Sequence, residues 1–326
     1  MLKHSVLIPI YGFNFFNDPK RLYEDANKKE VIYKTGLTTL DDMIGGGIHE
    51  KSLNLIMAST NIGKTLIMCS LASNFVQNGY KVLYVTFEDP ENKIAARIGQ
   101  NLFDITNQQF KLMSLNDYGK AFKKAKERCG GSNLIIKEYP EYTTSALHLK
   151  SLIKDLNEKQ RFMPDIVLID YIGCMLPNGK PNPNLNSNTI LLNIAMQVRA
   201  LSMEFGFPVI SASQTNRGGY GASEISLSDA ADSFGQNMKA DAVFGVTQTP
   251  EMLEQGMYQV QLLKTRYGNK KGSVDFIKVD IEKQKITDLD DKNKMKKTST
   301  SIIDVNANMK KENKSEINLD ELDSLI

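Results

Sequence analysis

An apolar run at residues 53–57, a loop ending in Gly63-Lys64-Thr65 and a helix-compatible stretch over residues 65–78 closed by Gly79 constrain this chain more than any other feature. A buried strand, a turn and a helix in that order is the setting that a phosphate-binding loop needs. Gly63 lets the backbone curl so that successive N–H groups face inward, and the helix N-terminus adds partial positive charge. Ser59, Thr60, Asn61 and Ile62 fill the loop, Lys64 is expected to bridge the β- and γ-phosphates of a nucleotide, and the Thr65 hydroxyl to ligate Mg²⁺. The sequence departs from the pattern G-x-x-x-x-G-K-[ST] at one place, where Ala58 replaces the first glycine. The expected ligand is ATP or GTP, with Mg²⁺.

With 326 residues the chain is long enough for one large α/β core with appendages. A net charge of +2 leaves room for a locally basic channel in a nearly neutral protein. Cys69, Cys129 and Cys174 are odd in number and far apart, so neither a disulfide framework nor a zinc site is expected, which fits a reducing cytosol. The apolar run at residues 1–10 is short and broken by Pro9, and no later stretch is long enough to span a bilayer, so a soluble cytoplasmic protein without a membrane partner is expected.

Strands are expected at 52–57, 82–87, 134–138, 165–170 and 208–213, with helices at 65–78, 91–103, 117–128, 145–158 and 189–205. This alternation implies an α/β fold with a mostly parallel sheet covered on both faces. Residues 241–246, 258–265 and 273–279 read as further strands that add antiparallel edges near the C-terminus. Residues 1–34 form an N-terminal segment in which Asp18 and Pro19 open a short docking helix over 18–29. The core is expected over residues 35–285. Residues 286–326, rich in Lys, Asn, Asp, Ser and Thr, read as a disordered polar tail ending in an acidic peptide whose Leu319, Leu322, Leu325 and Ile326 could line one helix face.

Several residues at expected strand ends carry chemistry. Glu88 ends one strand and is placed to polarise an attacking water. Asp170 follows four aliphatic residues and is placed to hold the water shell of Mg²⁺. Gln214 ends another strand as a neutral amide able to sense the γ-phosphate. The loops after Asp170 and Gln214 carry Lys180 and Arg217-Gly218-Gly219, suited to gripping a phosphate backbone. Lys264 and Arg266 share a strand face before a turn, where Arg266 could reach a neighbouring subunit's triphosphate as an arginine finger in trans.

In this order, Thr35-Gly36-Leu37, Asn61 to Thr65, Leu168-Ile169-Asp170-Tyr171, Ser213 to Arg217, Ala240-Asp241-Ala242 and Lys264 to Gly268 resemble the RecA-type ATPase domain of DnaB-family replicative helicases, above all those of T-even-type bacteriophages. The resemblance runs over residues 33–279. It implies a RecA-like core, a homo-hexamer around single-stranded DNA, NTP hydrolysis at subunit interfaces and 5′→3′ translocation. It also implies that residues 18–29 pack on the adjacent subunit and that a primase and a helicase loader are candidate partners. The family's helical N-terminal domain has no counterpart ahead of the linker in this sequence. A recombination or repair ATPase shares the core, the glutamate and the glutamine, and a nucleotide-bound assembly or loading factor is the non-enzymatic alternative; the Lys264/Arg266 pair and the linker favour the helicase.

Overall fold

The computed structural model describes residues 13, 15, 25, 27–59, 61–130, 133–179, 185–214, 237, 239–268 and 270–289. Two compact units divide the chain, Met1–Asp288 and Leu289–Ile326, and the fold below is that of the first. Its elements in chain order are β1 (Ile32–Tyr33), α1 (Thr38–Met43), β2 (Ile48–His49), β3 (Leu53–Ala58), α2 (Lys64–Gln77), β4 (Val82–Thr86), α3 (Glu91–Phe103), α4 (Asn107–Leu112), α5 (Leu115–Arg128), β5 (Leu134–Glu138) and α6 (Ala146–Gln160). Next come β6 (Ile166–Asp170), a 3-10 turn (Ile172–Cys174), α7 (Ser187–Phe205), β7 (Val209–Gln214), β8 (Ala242–Thr247), α8 (Pro250–Glu254), β9 (Met257–Thr265), β10 (Val274–Asp280) and β11 (Lys285–Asp288).

Nine strands form one sheet in the order β11-β10-β9-β8-β3-β7-β6-β4-β5. All pairs from β8 to β5 are parallel, and β9, β10 and β11 add antiparallel strands beyond β8. Alternation along the strands sorts side chains to two faces. Ile56, Tyr84, Leu168 and Ile210 pack with α2 residues such as Leu71 and Phe75 on one face, while Leu55, Val85, Val167 and Val209 pack with α6 and α7 on the other. The mostly parallel sheet with two covered faces is therefore as expected, and β3 is apolar or buried throughout because both its sides are covered.

One expectation is corrected. The strand over residues 241–246 was expected to join the antiparallel edge, but β8 runs parallel to β3 and lies inside the sheet. All six of its residues are buried, as an internal strand requires, and the segment between Gln214 and Ala242 is long enough for the crossover that a parallel neighbour needs. Sequence periodicity also passes over β1, β2, α1, α4, α8 and β11, all six residues or shorter. Two of the short helices start on local chemistry: Thr106 and Gln109 form a capping box on α4, and Thr249 caps α8 ahead of Pro250.

Asp288 in β11 accepts from the backbone N–H groups of Thr38 and Thr39 at 2.7 and 2.9 Å, which ties the first turn of α1 to the last strand. That strand crosses the boundary expected at residue 286. Close to α2, Gly36 has φ +78°, and a Cβ there would lie 2.9 Å from the Asn74 Cβ, so the Thr35-Gly36-Leu37 segment can seat against α2 only with glycine. Most of the docking helix expected over 18–29, and the terminal peptide 317–326, fall outside the described residues.

Candidate nucleotide site

The phosphate loop leaves β3 at Ala58, and α2 begins at Lys64. Gly63, the N-cap, sits in the left-handed region with φ +94° and ψ +41°, the conformation that favours glycine. Its cap carries no side-chain hydrogen bond, so the first amides of α2 remain as donors for an anion. Ala58 answers the departure from the loop pattern. It is the last residue of β3, pairs with Gln214 and Val246, and is not among the positive-φ residues, so this position does not require glycine.

Lys64 is only partly exposed. Burial lowers its ammonium below the usual lysine range, while Glu88 and Asp170 act in the opposite direction. Glu88 follows β4 by two residues and Asp170 ends β6; because Thr86 and Asp170 are register partners, the topology delivers both acids beside the loop. Asp170 is 2% exposed. Its Oδ2 accepts from the Tyr84 hydroxyl at 3.0 Å, and its carboxyl also takes a hydrogen bond from the Thr65 side chain. Burial raises the Asp170 carboxyl, and those two donors with Lys64 counter the shift. Burial, then Asp170, raise Glu88 above its ordinary value, with Lys64 opposing and Glu141 adding to the rise.

Gln214 ends β7 directly beside Ala58. Lys64, Thr65, Glu88, Asp170 and Gln214 therefore come together where β3, β4, β6 and β7 end, the ligand-binding edge of a parallel sheet. The hydroxyl of Thr65 and the carboxylate of Asp170 are hard oxygen donors in mutual contact, and this set fits Mg²⁺. A third acidic side chain, Glu141, lies with Glu88 and Cys174 so that their ligand atoms fall within 4.8 Å of one another. Burial pushes the Cys174 thiol up to about 12, which keeps it protonated at neutral pH in the absence of a metal. All three cysteines are free and buried.

Lys264 and Arg266 lie elsewhere. Thr265 pairs with Ala242, which in turn pairs with Asn54 near the start of β3. From Asn54 to Ala58 the strand rises about 13 Å before the phosphate loop begins. The two cations thus stand at the end of the sheet opposite their own chain's loop. Lys264 donates to the Asn237 carbonyl at 3.0 Å, and burial followed by Arg266 lowers its ammonium below the usual range. Arg266 is half exposed and ion-paired with Asp241 at 3.2 Å.

Ser59 is buried, and Asn61, at φ +67°, and Ile62 complete the described part of the loop. Thr60, Lys180, Arg217, Gly218 and Gly219 lie outside the described residues. Sequence reasoning missed Tyr84, Glu141 and Tyr258 as groups near the phosphate loop, and Arg199 with Asp241 as the ion pair beside Arg266 at the opposite end. A tyrosine in an alternating buried strand carries no mark of the acid it will meet two residues up the neighbouring strand.

A phosphate loop on a central parallel strand, with a lysine, two acids and a glutamine gathered at its tip, defines a RecA-like nucleotide-binding core. The chain belongs to the DnaB-like helicase C terminal domain family, whose description matches residues 33–288. It is 32% identical over 244 residues to a DnaB-like replicative helicase of Enterobacteria phage T4, covering 74% of this chain and 51% of that protein. The chain therefore spans about half the length of that relative. Among solved structures, an ATPase domain matches with a TM-score of 0.70 at 20% identity, covering 85% of this chain and 99% of that one. A DnaB-like replicative helicase, solved to describe its interactions with primase, also matches with a TM-score of 0.70, at 19% identity, covering 85% of this chain and 69% of that one. At these identities the two structures bear on the fold alone. No helix among the described residues is long and apolar enough to cross a membrane.

Proposed function

We propose that this chain is the motor portion of a ring-forming replicative DNA helicase that hydrolyses ATP or GTP at the contacts between six subunits and moves 5′→3′ along single-stranded DNA. One observation carries the reading: a single sheet presents its phosphate loop at one end and the Lys264/Arg266 pair at the other. No chain can bring those cations to its own triphosphate. A neighbour's site is the place where they can neutralise charge on the γ-phosphate, as a trans arginine finger does.

Within one site, the amides of Gly63 and the first turn of α2 cradle the phosphates, and Lys64 reaches between β and γ. Thr65 and Asp170 hold Mg²⁺, which when bound neutralises charge on the phosphate oxygens. Glu88 takes a proton from water as its oxygen bonds to the γ-phosphorus and the bridging P–O bond breaks, leaving a nucleoside diphosphate and phosphate. Gln214 senses the γ-phosphate and relays its loss to the following loop, where Arg217, Gly218 and Gly219, together with Lys180 of the other loop, grip the DNA backbone.

The surface of α5 supports assembly. Leu115, Tyr118 and Phe122 follow one helical stripe and are exposed, beside exposed Leu112. Apolar side chains in that pattern suit a second amphipathic helix, and the linker helix over 18–29 of an adjacent subunit is the occupant we assign. A primase and a loader are further partners under this reading, and the host cytoplasm is its setting. Imaging the protein with a non-hydrolysable nucleotide and oligo-dT tests it. A closed six-membered ring with DNA-stimulated turnover is expected; a helical filament would replace the helicase by a recombination-type ATPase.

A further inference from the structure

Tyr258, near the start of β9, is buried, and its hydroxyl donates to the Ile62 carbonyl oxygen at 2.6 Å. Ile62 and Gly63 share one planar peptide unit, in which the carbonyl and the following N–H point in opposite directions. Holding that carbonyl against Tyr258 turns the Gly63 amide to the other side of the unit. The same hydroxyl lies 2.9 Å from the place a Gly63 Cβ would occupy. Steric room and the φ of +94° thus both demand glycine at this position.

We propose that Tyr258 is a positioning residue for phosphate binding: it sets the Ile62–Gly63 peptide so that the Gly63 N–H is a ready donor to a phosphate oxygen of a nucleoside di- or triphosphate. This rests on the nucleotide-binding reading above and adds a residue that lies 196 positions from its partner. A buried tyrosine needs an acceptor for its hydroxyl. Here the acceptor belongs to the peptide that carries the Gly63 amide, one of the donors that face the ligand. Donors fixed before the ligand arrives avoid the cost of ordering them on binding.

The test is Tyr258→Phe, which keeps the ring and removes the donor, measured beside the unaltered chain and Lys64→Ala. A fluorescent mant-ADP with Mg²⁺ reports affinity, a thermal melt reports folding, and DNA-stimulated hydrolysis separates KM from kcat. Tyr258→Phe should weaken mant-ADP binding about five- to ten-fold, raise KM in proportion and leave kcat within about two-fold. Incorporating a fluorinated tyrosine at 258, which retains the donor, should restore the affinity. A lowered melting temperature with unchanged affinity would show packing alone and overturn the proposal. If Tyr258→Phe does not fold, Tyr258→Met, flexible and without a donor, is read by the same criteria. Unchanged affinity in the Tyr258 variant beside lost affinity in Lys64→Ala overturns only this inference, whereas an unaltered chain that fails to bind mant-ADP removes the nucleotide site itself.

Discussion

Arg266 Nη1 lies 3.2 Å from Asp241 Oδ1, and that carboxylate does not depend on it. Arg199 also grips Asp241, with Nε 2.9 Å from Oδ2 and Nη2 3.0 Å from Oδ1, and the Leu53 amide donates to Oδ2 at 2.9 Å. Withdrawing Arg266 therefore leaves the buried acid still paired, so the side chain can turn to a neighbour at little cost. Because Arg266 is half exposed, Arg266→Ala should change stability by at most about 1 kcal/mol. It should leave nucleotide binding by the isolated subunit intact and reduce DNA-stimulated turnover about 10³-fold. Mixing it with Lys64→Ala subunits should restore part of the activity, since some interfaces then join a working loop to a working arginine. No recovery in the mixture argues against action in trans. Asp241→Asn, by contrast, removes the charged acceptor that Arg199 and the Leu53 amide share and should destabilise the fold by about 1–3 kcal/mol in a denaturant titration.

Ala58→Gly, which restores the strict loop pattern, should not improve nucleotide binding. Ala58 is buried in β3 with strand partners on both sides, so glycine there removes a packed methyl and adds chain entropy to the unfolded state. A loss of about 0.5–1 kcal/mol in stability is expected, with mant-ADP affinity unchanged. Markedly tighter binding would mean that the loop is strained by the alanine.

Tyr84→Phe removes the donor at 3.0 Å from Asp170 Oδ2. An acceptor left short in a buried setting costs about 1–3 kcal/mol, and the carboxylate loses the group that orients it. Higher Mg²⁺ should then be needed for half-maximal nucleotide binding, read by mant-ADP titration at fixed protein. Equal Mg²⁺ curves for the two proteins would refute this role.

Turnover should fall in acid through a pH above the ordinary glutamate value of 4.5, since burial and Asp170 raise Glu88 and the base must be ionised to act. The linkage has the opposite sign for stability. A carboxyl raised on folding binds its proton more tightly in the folded chain, so its contribution is present below about 4.5 and lost as pH rises through the raised value. Glu141 adds to the rise, and Glu141→Gln should move the acid limb of kcat to lower pH. The profile of kcat against pH checks this, and a limb that stays in place would remove Glu141 from the account.

Replacing Lys180 and Arg217 together by alanine should weaken binding of single-stranded DNA. If each contacts one phosphate, the slope of log affinity against log salt becomes shallower by about 1.4. Titrations of fluorescent oligo-dT at several salt concentrations measure it, and an unaltered slope would move the DNA path to other residues.

The phosphate loop, the alternation of strands with helices, and the acids at residues 88 and 170 were legible in the sequence because each depends on near neighbours. Leu53 to Ala58 is buried as its apolar pattern requires, and α2 ends where Gly79 can take a positive φ. What lay beyond reach depended on which strands become neighbours. The apolar run at residues 242–246 marks a strand covered on both faces, but nothing local names β3 as its parallel neighbour. That choice decided the site: it sent β9 back along β8, carried Lys264 and Arg266 to the far end from Lys64, and brought Tyr258 under Ile62. Tyr84 and Asp170 meet for the same reason, through register between β4 and β6. Local chemistry along the chain therefore determined which groups could bind a nucleotide. Only the pairing of distant strands, stabilised by burying both faces of the sheet, decided which of them gather at the phosphate-loop end and which stand at the far end of the sheet.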